Sequence, residues 1–459
     1  MTHAAAEIHS RSARLTERLT SLAAGVSTPR PVREGRIVRM VGMKLEAEGC
    51  DGAIGERCRV TSEQATVDAE IVGFAEGRLV LMPEGEVLGL QLGARVRPLG
   101  EHASVAVGAA LFGRVIDGAG HYLDGAPPAA CDHSVPLRAR ALNPLQRRPI
   151  REALDTGVRV INGLTTLGKG QRLGLFAGSG VGKSTLLGMM TRYAEADVIV
   201  VALIGERGRE VREFIEDILG PAGLARAIVV ATPADHPPLM RIHGAWRATA
   251  IAEHFRAEGK DVLLLMDSLT RFAQAQREMG LAVGEPPVAK GYPPSVFSLL
   301  PNLVERAGNG ERGSITGIYT VLVEGDDQAD PIADAARAIL DGHIVLSRRE
   351  AESGLFPAVD IEASVSRLMV NLTDPAQQGL ARSLRELYSV YMQNRDLINI
   401  GAYEQGSDPT IDRAIRAREA LRSFVRQGQG IRVSMADTQR DLRALASIAG
   451  IDQQAGGAA

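Results

Sequence analysis

The sequence predicts an α/β protein: a parallel sheet covered by helices, with a small β-barrel before it and a helical domain after it. Three observations carry this expectation. In residues 151–372, short apolar runs (173–176, 198–204, 227–230, 262–266, 315–323) alternate with helical stretches, the pattern of a parallel sheet sandwiched by helices. Residues 31–98 break into β-rich pieces at 35–40, 58–60, 66–72, 78–82 and 94–98, with glycines between them, which suggests a small antiparallel barrel. From residue 373 the strands stop, and 380–398, 411–425 and 436–449 read as helices.

Taken in order, residues 1–30 read as one amphipathic helix. Ile8, Leu15, Leu19, Leu22 and Val26 share a face, with Arg11, Arg14 and Arg18 among them. Such a helix either packs on its own protein or docks on a partner or membrane surface. Pro29 and Pro31 end it. The barrel segment 31–98 has nothing resembling an aromatic nucleic-acid platform. Residues 99–150 are rich in Pro, Ala and Arg and read as a linker, 151–372 as the nucleotide domain, and 373–459 as a helical domain with a disordered tail at 453–459.

Composition narrows the class. The chain has 459 residues, 45% of them apolar, and a net charge of −3, so nothing global calls for nucleic acid or an acidic surface. Three cysteines, Cys50, Cys58 and Cys131, form no CxxC pair, which fits a reducing cytosol and incidental thiols. The longest apolar runs fall far short of the roughly 20 residues of a spanning helix. No continuous apolar stretch follows the N-terminal charges, so no secretory signal is read there. The expectation is a cytoplasmic protein, peripheral to a membrane at most.

The chemistry is concentrated in three places. Ala177 is followed by Gly178, Ser179, Gly180, Val181, Gly182, Lys183, Ser184 and Thr185, between an apolar strand and a helical stretch. That is the strand–loop–helix context of a P-loop. Its backbone N–H groups wrap phosphate oxygens, Lys183 reaches the β- and γ-phosphates, and the Ser184 hydroxyl ligates Mg²⁺. Ala177 stands where the motif usually has its first glycine, a strand end that tolerates a methyl. Second, the strand 262–266 ends in Asp267, a carboxylate for Mg²⁺ or its water. Third, Gly205 to Glu210 follow the strand 198–204. Glu206 is the candidate water-polarising base, Arg207 a γ-phosphate contact and Glu210 a group in the metal's water shell. By spacing alone these charges read equally as a solvated loop.

These motifs, with MDSLTRF at 266–272 and LFGRVIDGAGHYLDG at 111–125, resemble the catalytic subunits of rotary ATPases and their secretion relatives. FAGSGVGKSTLLGMM at 176–190, GEPPVAKGYPPSVFS at 284–298, VERAGNG at 304–310, EGDDQADPIADAARAILDGHIVLSRR at 324–349 and NIGAYEQGSDP at 399–409 narrow the likeness to flagellum-specific export ATPases. The resemblance spans about residues 32–430, and implies a RecA-like P-loop core that hydrolyses ATP with Mg²⁺ in a homohexamer.

The resemblance also implies site roles. Lys183, Ser184, Glu206, Arg207, Glu210 and Asp267 match nucleotide and metal positions. Arg271 matches an arginine near the γ-phosphate, Phe356 an aromatic stacked on adenine, and Arg367 an arginine finger given to the neighbouring subunit. Asp326, Asp327 and Asp330 match a loop facing a coiled-coil central stalk. The implied partners are that stalk, a stator-like regulator on residues 1–30, export cargo with chaperones and a membrane export gate, with peripheral association at the inner membrane.

Three rivals share the core. An injectisome ATPase differs from the flagellar reading in phrasing rather than chemistry. An RNA-translocating terminator ring would need basic pore loops, whereas 324–330 is acidic. A non-catalytic rotary subunit would lack the base at position 206, where this chain has glutamate.

Overall fold

The computed structural model describes residues 16, 18, 20, 32–323 and 330–451. Apart from positions 16, 18 and 20, which are helical, the N-terminal helix expected at 1–30 lies outside the described residues. So do Asp326 and Asp327 of the acidic loop and the tail 453–459.

Six strands close an antiparallel barrel in the order β1-β2-β5-β4-β3-β6. They are β1 Gly35–Val41, β2 Lys44–Glu48, β3 Glu56–Thr61, β4 Thr66–Ala75, β5 Arg78–Pro83 and β6 Arg95–His102. Ile37, Leu45, Val60, Ile71, Leu81 and Val96 fill its interior. Cys58 is buried there too, and burial pushes its thiol pKa up to about 12, so it packs as a small apolar group.

The 99–150 segment is more structured than a bare connection. β7 Ser104–Val107 pairs with β9 His133–Pro136, and between them β8 Val115–Ile116 adds a parallel edge strand to the main sheet. Arg138 ties this segment to the barrel by an ion pair of 2.6 Å with Glu70. The other oxygen of the buried Glu70 carboxylate lies 2.9 Å from His243 Nε2, on the long helix Pro238–Ala257.

In the central domain, β10 Ala153–Leu154 and β11 Leu167–Gly168 form a small hairpin beside the main sheet. That sheet then takes up β12 Arg172–Ala177, β13 Val198–Ile204, β14 Ala227–Thr232, β15 Asp261–Asp267, β16 Gly308–Asn309, β17 Ser314–Leu322, β18 Gly342–Leu346 and β19 Val359–Ser366. The order is β19-β18-β12-β17-β15-β13-β14-β8, with β16 on the side of β17. The pairings from β18 across to β8 along this path are parallel, and β19 is antiparallel to β18. β13 shows why the apolar runs are continuous. Ile199, Val201 and Leu203 face one core, while Val198, Val200, Ala202 and Ile204 face the other.

Three helices, Pro375–Asn399, Pro409–Val425 and Met435–Ile448, build the C-terminal domain. The first starts before the expected residue 380 because Asp374 caps it, accepting from Gln377 N at 2.7 Å, with Pro375 at the first helical position.

Candidate active site at the carboxyl edge of the sheet

β12, β15 and β13 each end at the same edge of the sheet, and each delivers one candidate group. β12 runs into the phosphate-binding loop, β15 ends in Asp267, and β13 leads through Gly205 to Glu206. Gly180 and Gly182 adopt φ of 79° and 87°, conformations that a side chain would strain. The helix Lys183–Tyr193 starts straight after them, so its free N–H groups and positive dipole end face the loop. Ala177 ends β12 as a buried residue, consistent with a methyl fitting there.

Lys183 joins the other two strands. Its Nζ lies 2.7 Å from Asp267 Oδ1 and 3.4 Å from Glu206 Oε1. Burial disfavours the ammonium, but the Asp267 and Glu206 charges outweigh this and hold its pKa above the ordinary lysine value. The Glu206 pKa rises as well, but for a carboxylate that disfavours the charged form. Burial first, and then the Asp267 charge, push its pKa up to about 7 against the pull of Lys183.

Glu210 adds to the rise at Glu206 through a side-chain hydrogen bond. Arg207 is exposed, with its closest acidic contact at 3.8 Å from Glu210, so the structure does not bring it to Lys183. Arg271 sits beside Gly205, the residue before Glu206, instead. A methyl on Gly205 would come within 2.8 Å of Arg271 Cβ, so only glycine admits this approach. Arg271 Nη1 donates to Gln274 Oε1 at 2.8 Å, while its Nε is buried with no hydrogen-bond partner among the described residues.

Ser184 and Thr185 open the loop's helix, Thr185 exposed. Ser184, Asp267 and Glu210 supply only oxygen donors, the set a hard divalent cation takes. Among the described residues no cluster of three or more His, Cys, Asp or Glu could hold a metal by itself. A cation here would complete its shell with phosphate oxygens and water, the usual manner of Mg²⁺.

Phe356 is 45% exposed, and a methyl on Gly182 would lie 3.4 Å from its ring, so the ring borders the phosphate loop. Arg367 is elsewhere. Its N donates to Asp341 O at 3.1 Å, and Asp341 N donates to Arg172 O at 2.8 Å, which puts Arg367 level with the amino end of β12. The phosphate loop leaves the opposite end, one six-residue strand away, about 17 Å at ~3.3 Å per residue. Its guanidinium donates to Arg337 O at 3.0 Å. Asp330 caps the helix Pro331–Ile339, its Oδ1 accepting from Ile332 N at 2.8 Å and Ala333 N at 2.9 Å.

Two residues at the site carried no signal in the sequence reading. Thr320 on β17 is buried and donates to Asp267 Oδ1 at 2.6 Å. Arg348, after β18, has a guanidinium nitrogen 3.7 Å from where a methyl on Gly178 would stand. A hydroxyl inside an apolar strand becomes informative only once that strand is known to lie beside β15.

Residues 157–366 match the ATP synthase alpha/beta family, nucleotide-binding domain, and residues 373–444 match the EscN-type ATPase C-terminal domain of type III secretion systems. The flagellum-specific ATP synthase of Pseudomonas aeruginosa is 56% identical over 93% of this chain and 96% of its own. The Salmonella typhimurium flagellum-specific ATP synthase is 55% identical over 94% of this chain and 98% of its own. The Xanthomonas euvesicatoria type 3 secretion system ATPase is 50% identical over 86% of this chain and 90% of its own. The solved structure of the assembled ATPase EscN from the enteropathogenic E. coli type III secretion system is 44% identical, with a TM-score of 0.85 over 90% of this chain and 99% of that one. EscN in complex with its central stalk EscO aligns at 43% identity, with a TM-score of 0.82 over 90% of this chain and 99% of that chain.

Proposed function

Since the chain belongs to the ATP synthase alpha/beta family, in the branch of flagellum-specific and type III secretion ATPases, we propose that it is the motor ATPase of a flagellar-type protein export apparatus. It is an ATPase, and its core is a RecA-like P-loop fold between a β-barrel and a helical domain. The observation that carries the catalytic reading is the meeting of Lys183, Glu206 and Asp267 at the ends of three strands of one sheet.

In that reading ATP places its phosphates in the Gly178–Thr185 loop, and Lys183 leaves Asp267 and Glu206 for the β- and γ-phosphate oxygens. Ser184 and Asp267 would hold Mg²⁺, with Glu210 bonding to water around it. When bound, the ion neutralises charge that builds on the β- and γ-oxygens. Glu206 accepts a proton from the attacking water and orients it along the line of the leaving oxygen. Arg271 stands beside the γ-phosphate, and Arg207, exposed in the single chain, reaches it only if the loop closes. Phe356 offers its face to the adenine.

Arg367 acts on a neighbour. At the far end of the sheet from its own phosphate loop, it completes a site only across an interface, which calls for a closed ring, here a homohexamer. The assembled EscN and its stalk complex support a ring around a coiled-coil stalk. The loop ending at Asp330 faces that stalk, and residues 1–30 dock a stator-like regulator and the inner membrane. Chaperoned cargo and the export gate complete the partners of a cytoplasmic machine. Two flagellar relatives, at 56% and 55% identity, support the flagellar branch; the injectisome ATPase, at 50%, falls within the 46–56% span of the flagellar relatives and gives no better reading.

Phosphate release by the purified chain, with and without Mg²⁺, tests the enzyme. Restored filament growth in a bacterium deleted for its own flagellar export ATPase tests the pathway. A chain that hydrolyses ATP yet restores only needle secretion would move it to the injectisome branch.

A further inference from the structure

Phe356 is held from the C-terminal domain. Its carbonyl accepts from Gln427 N at 2.9 Å. The Gln427 side chain is buried and fully engaged. Its Oε1 accepts from Arg159 N at 2.8 Å, and its Nε2 donates to Gly157 O at 2.8 Å and Ile431 O at 2.7 Å. The turn that follows contains Gly428 and Gly430, which by themselves give a backbone wide freedom. The amide of Gln427 therefore does what a stiff turn would do, and fixes its own N–H against the Phe356 carbonyl.

A second tether lies on the other side of the same loop. Tyr388 OH, from the helix Pro375–Asn399, donates to Glu350 Oε1 at 2.9 Å. Glu350 is buried in the short helix Arg348–Glu352, and Leu355 N donates back to its carbonyl at 3.0 Å. Burial first, then the adjacent Glu350 carboxylate, raises the Tyr388 phenol pKa, so it stays a neutral donor at working pH. Both anchors belong to the C-terminal domain, and both end within one loop of the aromatic that borders Gly182.

We propose that Gln427, seconded by Tyr388, is a positioning residue for nucleotide binding: it sets where the Phe356 ring stands over the phosphate loop, so that a shift of the C-terminal helices changes ATP affinity without touching the hydrolytic groups. This deepens the reading of Phe356 as the adenine platform and rests on it.

The test uses the full chain in three variants, Gln427→Ala, Tyr388→Phe and Phe356→Ala, and each double variant with Phe356→Ala. Tyr388→Phe keeps the ring and loses one hydrogen bond, so it reports even where Gln427→Ala folds poorly by thermal unfolding. The expected result is a KM for ATP raised about 5- to 10-fold, the scale of one well-made hydrogen bond, with kcat within about twofold. Inorganic tripolyphosphate, which has no base, should compete with ATP as well in these variants as in the wild type. Neither tether variant should add to the Phe356→Ala effect, because both act through that ring. Wild-type KM in the tether variants, effects that add to Phe356→Ala, or an equal loss of tripolyphosphate binding would overturn the proposal. Wild-type KM in Phe356→Ala would overturn the adenine reading beneath it, whereas a raised KM there with unaffected tether variants sinks the tether alone.

Discussion

The Nζ of Lys183 lies closer to Asp267 Oδ1, at 2.7 Å, than to Glu206 Oε1, at 3.4 Å. The lysine therefore screens two carboxylates from one another. Lys183→Ala should remove hydrolysis by weakening phosphate binding. It should also leave Asp267 and Glu206 unscreened and push the Glu206 pKa above its value of about 7. Steady-state turnover and equilibrium binding of a fluorescent nucleotide check the first effect, and hydrolysis at the wild-type rate would remove Lys183 from the mechanism.

Glu206→Gln keeps the shape and removes the basicity. Turnover should drop by about 10²-fold or more, while nucleotide affinity stays within several-fold. If binding and turnover fall together, Glu206 has a structural part and the base lies elsewhere.

The same residue makes a stability prediction whose sign can be worked out. Its pKa is about 7 in the fold against an ordinary glutamate value of 4.5, so between those pH values the folded chain binds the extra proton. Stability from this group is thus lost as pH rises from about 4.5 to about 7. Glutamine cannot ionise. In nucleotide-free, Mg²⁺-free buffer, Glu206→Gln should melt higher than the wild type at pH 8, and the gap should close towards pH 4.5. An equal gap at both pH values would mean that the carboxylate is not the strained group.

Much of this was legible in the chain. The P-loop and Asp267 announce themselves because buried parallel strands are apolar throughout, so a glycine run or a carboxylate at their ends stands out. β2 was not legible, because Lys44, Glu46 and Glu48 give a short segment little apolar signal. Glu46 is nonetheless buried, satisfied by Lys44 at 3.1 Å and Arg78 at 3.4 Å, and pairing of that kind is a tertiary fact. β8 was hidden for a different reason. Two residues make a strand only because β14 is there to receive them, in the register Val229 to Val115. Gln427 falls in the same class, since its role depends on Gly157, Arg159 and Phe356 meeting in space.

Thr320→Val tests a residue that only the structure reveals. The swap keeps the branched shape and removes the hydroxyl that donates to the buried Asp267 carboxylate at 2.6 Å. A hydrogen bond to a charged group is worth about 1.5–3 kcal/mol, so the folded chain should lose stability on that scale. Half-saturation for Mg²⁺ should shift upward as Asp267 loses its orientation, read from ATPase rates across a Mg²⁺ titration. An unchanged melt and an unchanged Mg²⁺ curve would make the contact incidental.

The last prediction concerns the ring. Arg367 lies level with Arg172, while the phosphate loop leaves from the opposite end of β12. In the proposed ring that arginine serves the site of the next subunit, where such fingers are worth about 10³ to 10⁵ in rate. Specific activity should therefore rise with protein concentration as rings assemble. Arg367→Ala should bind ATP but hydrolyse it poorly, and Lys183→Ala should be dead at its own site yet still present an intact finger to its neighbour. Mixing the two inactive variants creates interfaces that join an intact phosphate loop to an intact Arg367, so part of the activity should return, most of all near equal proportions. A finger acting within its own chain could never be complemented in this way. Mixtures that stay dead at every ratio, together with a rate independent of concentration, would remove the shared site while leaving Lys183, Asp267 and Glu206 where the sheet places them.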